Sequence, residues 1–445
     1  MDIVIKIIQL ILSLSVLVII HEFGHFAAAK IFKTKVEKFY LFFNPGFSLF
    51  KFKYGETEYG VGWLPLGGYV KIAGMIDESM DKEQMAKDPE PWEFRSKPAW
   101  QRLIIMLGGV IMNVVLAALI YIVMMATYGE QYLPNSAVKY GIQVDSLGQS
   151  IGLKNGDKIL SLDGESIDDF SKIPVKILLD EIHSMQVERN GNQIEIPITG
   201  EFKAALIAEG KPGFLMPRMP VRVMDFDVES NAKKAGLEKG DWLRAINGRE
   251  VLFFDQFMVF KDSVAAHKNE EVQVTVQRDQ DIIEVNIPVQ GDGLIGISVA
   301  GDPQLDFELK SHQYTIVEAF PAGINKAIEQ IDSYLKQLKM IFNPEMEAYK
   351  SVGGFGMIAS IFPATWDWIR FWELTAFLSI MLAVLNILPI PALDGGHVMF
   401  LMYEIIARRK PSDKFLEYAQ YVGMILLLAL LVFANGNDIY KYFFK

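Results

Sequence analysis

The chain of 445 residues contains no cysteine and only six histidines. The first absence excludes thiolate metal sites and any disulfide framework, although it does not assign the soluble parts to either side of a membrane. An excess of basic residues is missing as well. The formal charge of −11 leaves no electrostatic footprint for a nucleic acid, and that partner class is excluded. Nor is the chain polar enough to be wholly soluble, since 51% hydrophobic residues predict membrane spans together with soluble parts. The apolar first twenty residues carry no small-residue cleavage site ahead of the first histidine pair, so they read as a retained span and not as a signal peptide.

Scarcity of histidine makes the placing of two of them informative. His21-Glu22-Phe23-Gly24-His25 is an H-E-x-x-H run where a long apolar stretch stops. On a helix, residues four apart stand one turn apart on one face, so His21 and His25 could bind one Zn²⁺, with Glu22 beside it to deprotonate a water. The blander reading is a pair of structural histidines capping a membrane helix. Ionisable groups at the end of an apolar span are costly and usually functional, which favours the metal.

In chain order, residues 3–31 form the first predicted span, and Lys30, Lys33, Lys35 and Lys38 after it put that end in the cytoplasm by the positive-inside rule. From Phe47 to Tyr69 the pattern turns to period two. Phe50, Phe52 and Tyr54 alternate with Lys51 and Lys53, Gly55-Glu56 suits a turn, and Tyr59, Val61 and Trp63 alternate after it, predicting a β-hairpin that is either a small structural unit or a substrate-handling one. Residues 77–102 are charged and polar, as a cytoplasmic segment would be. Residues 103–127 form a second span whose outer end carries no basic residues. Asn113 within it reads as a helix-packing contact in preference to a catalyst.

Between residues 130 and 305 hydropathy falls and a repeat emerges. The run from Gly152 to Gly164 returns 84 positions later from Gly236 to Gly248, and matched glycines imply matched turns in two copies of one small β-rich domain. The pattern G-L-x-x-G-D-x-I/L-x-x-I/L-D/N-G resembles bacterial PDZ domains, which bind an extended chain at a sheet edge. The candidate groove strands are Tyr140–Val144 and Val223–Val228, with Tyr140, Gly141, Ile142, Val223 and Phe226 as groove residues; a spacer role is the alternative.

Residues 315–342 have helical amphipathic spacing, and Trp366, Trp368 and Trp372 form an aromatic belt ahead of a third span at 373–388. That span ends in Asn386-Ile387-Leu388-Pro389-Ile390-Pro391-Ala392-Leu393-Asp394-Gly395-Gly396-His397. The prolines break the helix and the glycines allow tight turns, so Asp394 can point sideways at membrane depth. Arg408, Arg409, Lys410 and Lys414 make this end cytoplasmic too, which brings Asp394 to the depth of His21 and His25, as one metal site requires. A fourth span at 416–434 returns outside before Asn435-Gly436-Asn437-Asp438.

Taken together, H-E-F-G-H, the Leu64–Lys71 stretch, the paired PDZ-like repeats and N-I-L-P-I-P-A-L-D-G-G-H resemble the site-2 protease family of intramembrane zinc metalloproteases, of the bacterial RseP type. The resemblance covers nearly the whole chain. It implies one Zn²⁺ per chain held by His21, His25 and Asp394, Glu22 as general base, Asn386 as a substrate-binding or stabilising side chain, and the hairpin as the element that receives the substrate strand, with Val61, Trp63, Gly67, Gly68 and Tyr69 as its contacts. It also implies substrates that are single-span membrane proteins, of anti-sigma-factor or remnant-signal-peptide type, in the inner membrane of a bacterial cell. One departure is Gly108-Gly109-Val110-Ile111-Met112-Asn113, where relatives usually carry Gly-Pro before the Asn.

The expected architecture is a multi-pass α-helical membrane protein of about four transmembrane helices, with a membrane-associated β-hairpin and two extracytoplasmic β-rich PDZ domains. Its segments are 1–35, 36–102, 103–128, 129–212, 213–305, 306–371, 372–410 and 411–445. The active site is expected toward the cytoplasm, and the repeats on the periplasmic side, where they would exclude bulky substrates. The rival reading is a non-enzymatic membrane scaffold with a structural metal site. A metal transporter would need inverted repeats and several intramembrane carboxylates.

Overall fold

A computed structural model describes residues 2–65, 67–75, 88–209 and 213–444. Residues 77–87 of the polar segment read as cytoplasmic lie outside the described residues, as do Ile76 and Leu66. The chain divides into two compact units: residues 1–129, 313–342 and 349–445 form one, and residues 130–312 with 343–348 the other.

In the first unit, four helices are long and apolar enough to cross a membrane. They are α1 (Asp2–Ile31), α2 (Ala99–Tyr128), α5 (Trp368–Ile387) and α7 (Asp413–Phe444), and between them lie the amphipathic α3 (Ile316–Ile341) and the shorter α4 (Phe355–Ser360) and α6 (Asp394–Ala407). Packing in an apolar medium depends on close approach and on internal hydrogen bonds, and both are present here. α1 and α2 meet backbone to backbone at Gly24 and Gly108, where a Cβ on either residue would run into the other's carbonyl. Buried polar side chains join the helices: Gln9 donates to the Pro363 carbonyl (2.9 Å), Thr375 to Ser13 (3.0 Å), and Ser379 to the Asn113 carbonyl (2.8 Å).

After α1 the chain enters a four-stranded sheet of order β2-β3-β1-β4: β1 (Val36–Leu41), β2 (Phe50–Tyr54), β3 (Thr57–Val61) and β4 (Tyr69–Ile72). The expected hairpin is β2–β3, closed at Gly55 with φ +61°. It is only half of the sheet, since β1 pairs in parallel with β3 and antiparallel with β4. Phe52, Tyr59, Phe39 and Phe26 form a run of ring contacts that docks the sheet on α1, one residue past His25. The far edge is bare, with Phe47, Leu49, Phe50, Phe52, Tyr54 and Trp63 exposed.

The helix that carries the predicted fourth span runs past residue 434. α7 continues through Asn435-Gly436-Asn437-Asp438 because those polar side chains have local partners: Asn435 accepts from Phe355 N–H (3.3 Å), Asp438 from Met357 N–H (3.0 Å), and Asn437 donates to the Val352 carbonyl (2.6 Å). Composition alone reads such a run as a loop. Here it caps the start of α4.

The second unit holds two cores, one from each repeat. Both copies build the repeat signature in the same way. Asp157 accepts the Lys154 N–H (2.8 Å) and pairs with Arg189 (2.7 Å); Asp241 accepts the Glu238 N–H (2.9 Å) and pairs with Arg278 (2.8 Å). The expected groove strands are placed by the pairing. Arg222–Phe226 pairs with Ile297–Ala300 along its length but with Trp242–Ile246 only at Arg222, and Ile297–Ala300 is the terminal strand. In the first copy Ile142–Val144 pairs with Leu215–Pro217. Ile142 and Val223 are fully buried in their cores, Phe226 packs against the second core, and Gly141 is buried. Tyr140 meets the rings of Trp242, Phe253 and Phe307. A strand's position inside a sheet is decided by its partners, which the local pattern does not reveal.

Candidate metal centre

His21 and His25 lie one turn apart on α1, both buried, as H-E-x-x-H on a helix dictates. Their rings face α2 at Gly109, where a side chain would collide with both imidazoles. Asp394 opens α6. It reaches this depth because α5 stops at Ile387 and the chain turns through Pro389–Leu393, with Ala392 at φ +84° and its N–H donating to Gln420 (3.2 Å). Gly395 and Gly396 press on the carbonyls of Ile387, Leu388 and Ile390, positions that no side chain could take.

Three donor atoms converge. His21 Nε2 and His25 Nε2 are 3.3 Å apart, and Asp394 Oδ2 stands 3.2 Å from each. Such a triangle is what donors about 2.0–2.1 Å from one tetrahedral centre make with one another. His25 is already oriented, because its Nδ1–H donates to the Ile105 carbonyl (2.8 Å) and leaves the Nε2 lone pair facing inward. Asp394 Oδ2 is buried and has no hydrogen-bond partner. A buried, unpartnered carboxylate oxygen between two imidazole nitrogens is costly unless a cation belongs there, so the residues fit zinc. Among the described residues these three form the single cluster of His, Asp and Glu side chains compact enough for a metal.

Glu22, His21, His25 and Asp394 line a cavity of about 380 Å³ together with Phe43, Met106, His397, Gln420 and the run Gly68–Ile72. The sheet therefore meets the site along β4. β4 is an edge strand of the sheet, and its outer side faces the cavity, where the Val70 backbone N–H donates to the Glu22 carboxylate. Gly68 passes between Val18 and the Tyr40 carbonyl, where a Cβ does not fit, and Tyr69 Oη donates to Asn44 (3.0 Å).

The substrate contacts expected from sequence divide accordingly. Gly68 and Tyr69 line the cavity, and Gly67 precedes them at φ +143°. Val61 is paired on both sides, with Phe50 and Leu41, and offers no free edge. Trp63 stands on the exposed rim and donates to the Pro45 carbonyl (3.0 Å). Asn386, in the last turn of α5, puts its Nδ2 3.3 Å from His21 Nε2, beside the donor triangle. Sequence reasoning missed Val70, Lys71 and Ile72 in the cavity wall and took Asn113 for a packing residue. The Asn113 Nδ2 lies 3.3 Å from His21 Nδ1. A polar residue one turn beyond a glycine on the same helix face was the available signal.

The family model for peptidase family M50 matches residues 9–430. Similar proteins align over nearly their whole length. A Haemophilus influenzae protein named regulator of sigma E protease is 29% identical over 453 residues, covering 96% of this chain and 97% of that protein. A Campylobacter jejuni protein that bears a zinc-metalloprotease name is 28% identical over 432 residues (96% and 92%), and one of Vibrio cholerae with the same kind of name is 28% identical over 472 residues (98% and 99%).

Proposed function

This chain belongs to peptidase family M50 and is a membrane zinc metalloprotease, and from that premise we propose that it cuts peptide bonds within the apolar segments of single-span membrane proteins. The observation that carries this reading is the meeting of His21, His25 and Asp394 around a partnerless Asp394 Oδ2, beside an open strand edge in a bundle of apolar helices. These three residues hold the metal. A zinc ion held there would supply Lewis-acid polarisation of the scissile carbonyl and would lower the pKa of a water. Glu22 is placed to take a proton from the attacking water and to return it to the leaving amine. Asn386 Nδ2, aimed at the same point, donates to the carbonyl oxygen as charge develops on it.

A transmembrane helix hides its carbonyls in its own hydrogen bonds, so the cut segment must become extended. The β4 edge supplies main-chain partners for an extended segment laid along the cavity. Val70→Pro stiffens this edge and also takes from Glu22 its Val70 N–H partner, and is expected to slow cleavage at least about tenfold with zinc content unchanged. A substrate carrying Gly or Pro at the cut needs less unwinding and should be slowed less. Equal slowing of both substrates, or none of either, would remove the strand-addition role.

By the distribution of Lys and Arg, the metal site lies toward the cytoplasm and the paired PDZ-like modules on the outer face of a bacterial inner membrane. There they act as a size filter that admits substrates already shortened outside, of anti-sigma-factor or remnant-signal-peptide type. Glu130–Tyr132 and Lys310–His312 pair at the two ends of the inserted unit, so residues 133–309 can be excised with those ends kept together. The test incubates the full chain and the excised chain with a single-span reporter, with and without a bulky outer domain, and maps the products. The full chain should cut the short reporter within its apolar segment and spare the bulky one, and the excised chain should cut both. A cut outside the apolar segment would overturn the proposed activity. Loss of cleavage of the short reporter by a folded excised chain would overturn the filter alone.

A further inference from the structure

Asn113 is fully buried on α2, one turn past the glycine that makes room for the imidazoles. Its backbone is held against α5 by the hydrogen bond from Ser379 to its carbonyl. Its Nδ2 points at His21 Nδ1, 3.3 Å away, while its Oδ1 is buried with no partner. A neutral imidazole has one N–H and one lone pair, and the group that faces one nitrogen decides which the other carries. With the Asn113 NH₂ toward Nδ1 and the Asn386 Nδ2 3.3 Å from Nε2, both ring nitrogens face amide donors, although a neutral ring has one lone pair. Turning the amide by half a revolution exchanges two atoms of nearly equal size. Oδ1 then accepts from Nδ1–H, a buried acceptor gains its partner, and the Nε2 lone pair faces the donor triangle.

We propose that Asn113 is a positioning residue of the zinc site: its side-chain oxygen accepts the His21 Nδ1 proton, fixing the tautomer and ring orientation in which His21 serves as a metal donor. It matches on His21 what the Ile105 carbonyl does on His25. The inference rests on the ligand assignment proposed above and extends it to α2. It also gives a role to the stretch Gly108–Asn113: Gly108 lets the helices touch, Gly109 clears the rings, and Asn113 orients one of them.

The test uses the full-length protein in detergent, stripped of metal and titrated with Co²⁺ against a competing chelator, with the visible absorption of the bound ion as readout. Asn113→Leu keeps the bulk and removes the acceptor, and is expected to weaken Co²⁺ binding 10- to 100-fold, the usual loss when a ligand's hydrogen-bond partner is removed. Asn113→Asp keeps an oxygen facing Nδ1–H and should bind within about threefold of the parent with the same absorption spectrum. His21→Ala serves as the control on the ligand set and should abolish the spectrum. If Asn113→Leu binds like the parent while His21→Ala does not, the ligand set stands and the positioning role is overturned. Equal weakening in the Leu and Asp variants, with parental thermal unfolding, would mean that Asn113 acts through packing, and overturns it too. If His21→Ala binds like the parent, the ligand reading itself fails.

Discussion

Glu22→Gln should lower peptide cleavage by about three orders of magnitude while the protein keeps its fold and its zinc. Glu22 follows His21 directly on α1 and shares the cavity with the three candidate donors without being one of them. Glutamine has nearly the same shape and can still accept the Val70 N–H through its amide oxygen. What it cannot do is take a proton from water, so the loss isolates that single step. Product formation from a single-span reporter, measured beside zinc content on the same preparation, decides the matter. Cleavage within tenfold of the parent would remove Glu22 as the base. Loss of zinc along with activity would show instead that the carboxylate holds the site together.

Removal of any one donor should empty the site. His21→Ala, His25→Ala and Asp394→Ala each leave two donors where three stood 3.2–3.3 Å apart, and a two-donor site competes poorly with water and chelators. Each variant, purified in the presence of a chelator that leaves the parent loaded, should retain less than roughly a tenth of the parent's zinc. Activity should fall with occupancy. Full occupancy in Asp394→Ala would transfer the third ligand to His397, which lines the same cavity one turn further along α6.

Much of this site was legible in the sequence because its chemistry is local. The i, i+4 spacing of His21 and His25 carries its own geometry, and the Pro-broken, Gly-rich run around Asp394 announces a side chain pointing off the end of a span. The parts that stayed hidden depend on partners distant in the chain. β4 is four residues long, too short for an alternating pattern to register, and it becomes a strand through pairing with β1. Val61 has the right residue type for a contact strand, but the parallel pairing of β3 with β1 closes that edge. Asn435–Asp438 looked like an outer loop because nothing nearby in sequence could satisfy so many polar groups, whereas the chain around residues 352–357 does. Asn113 was ambiguous since a lone amide in an apolar span serves packing and chemistry equally well until its neighbour is known.

The donor set is divided between α1 and α6, near opposite ends of the chain. During synthesis the H-E-x-x-H helix enters the bilayer first, followed by α2 and the whole of the inserted unit, before Asp394 has left the ribosome. Throughout that interval the two histidines lack their third partner, and Asn386 has not yet been made. A membrane zinc metalloprotease built this way is thus born inert. The site is completed only when the segment that carries Asp394 has been made and packed against α1.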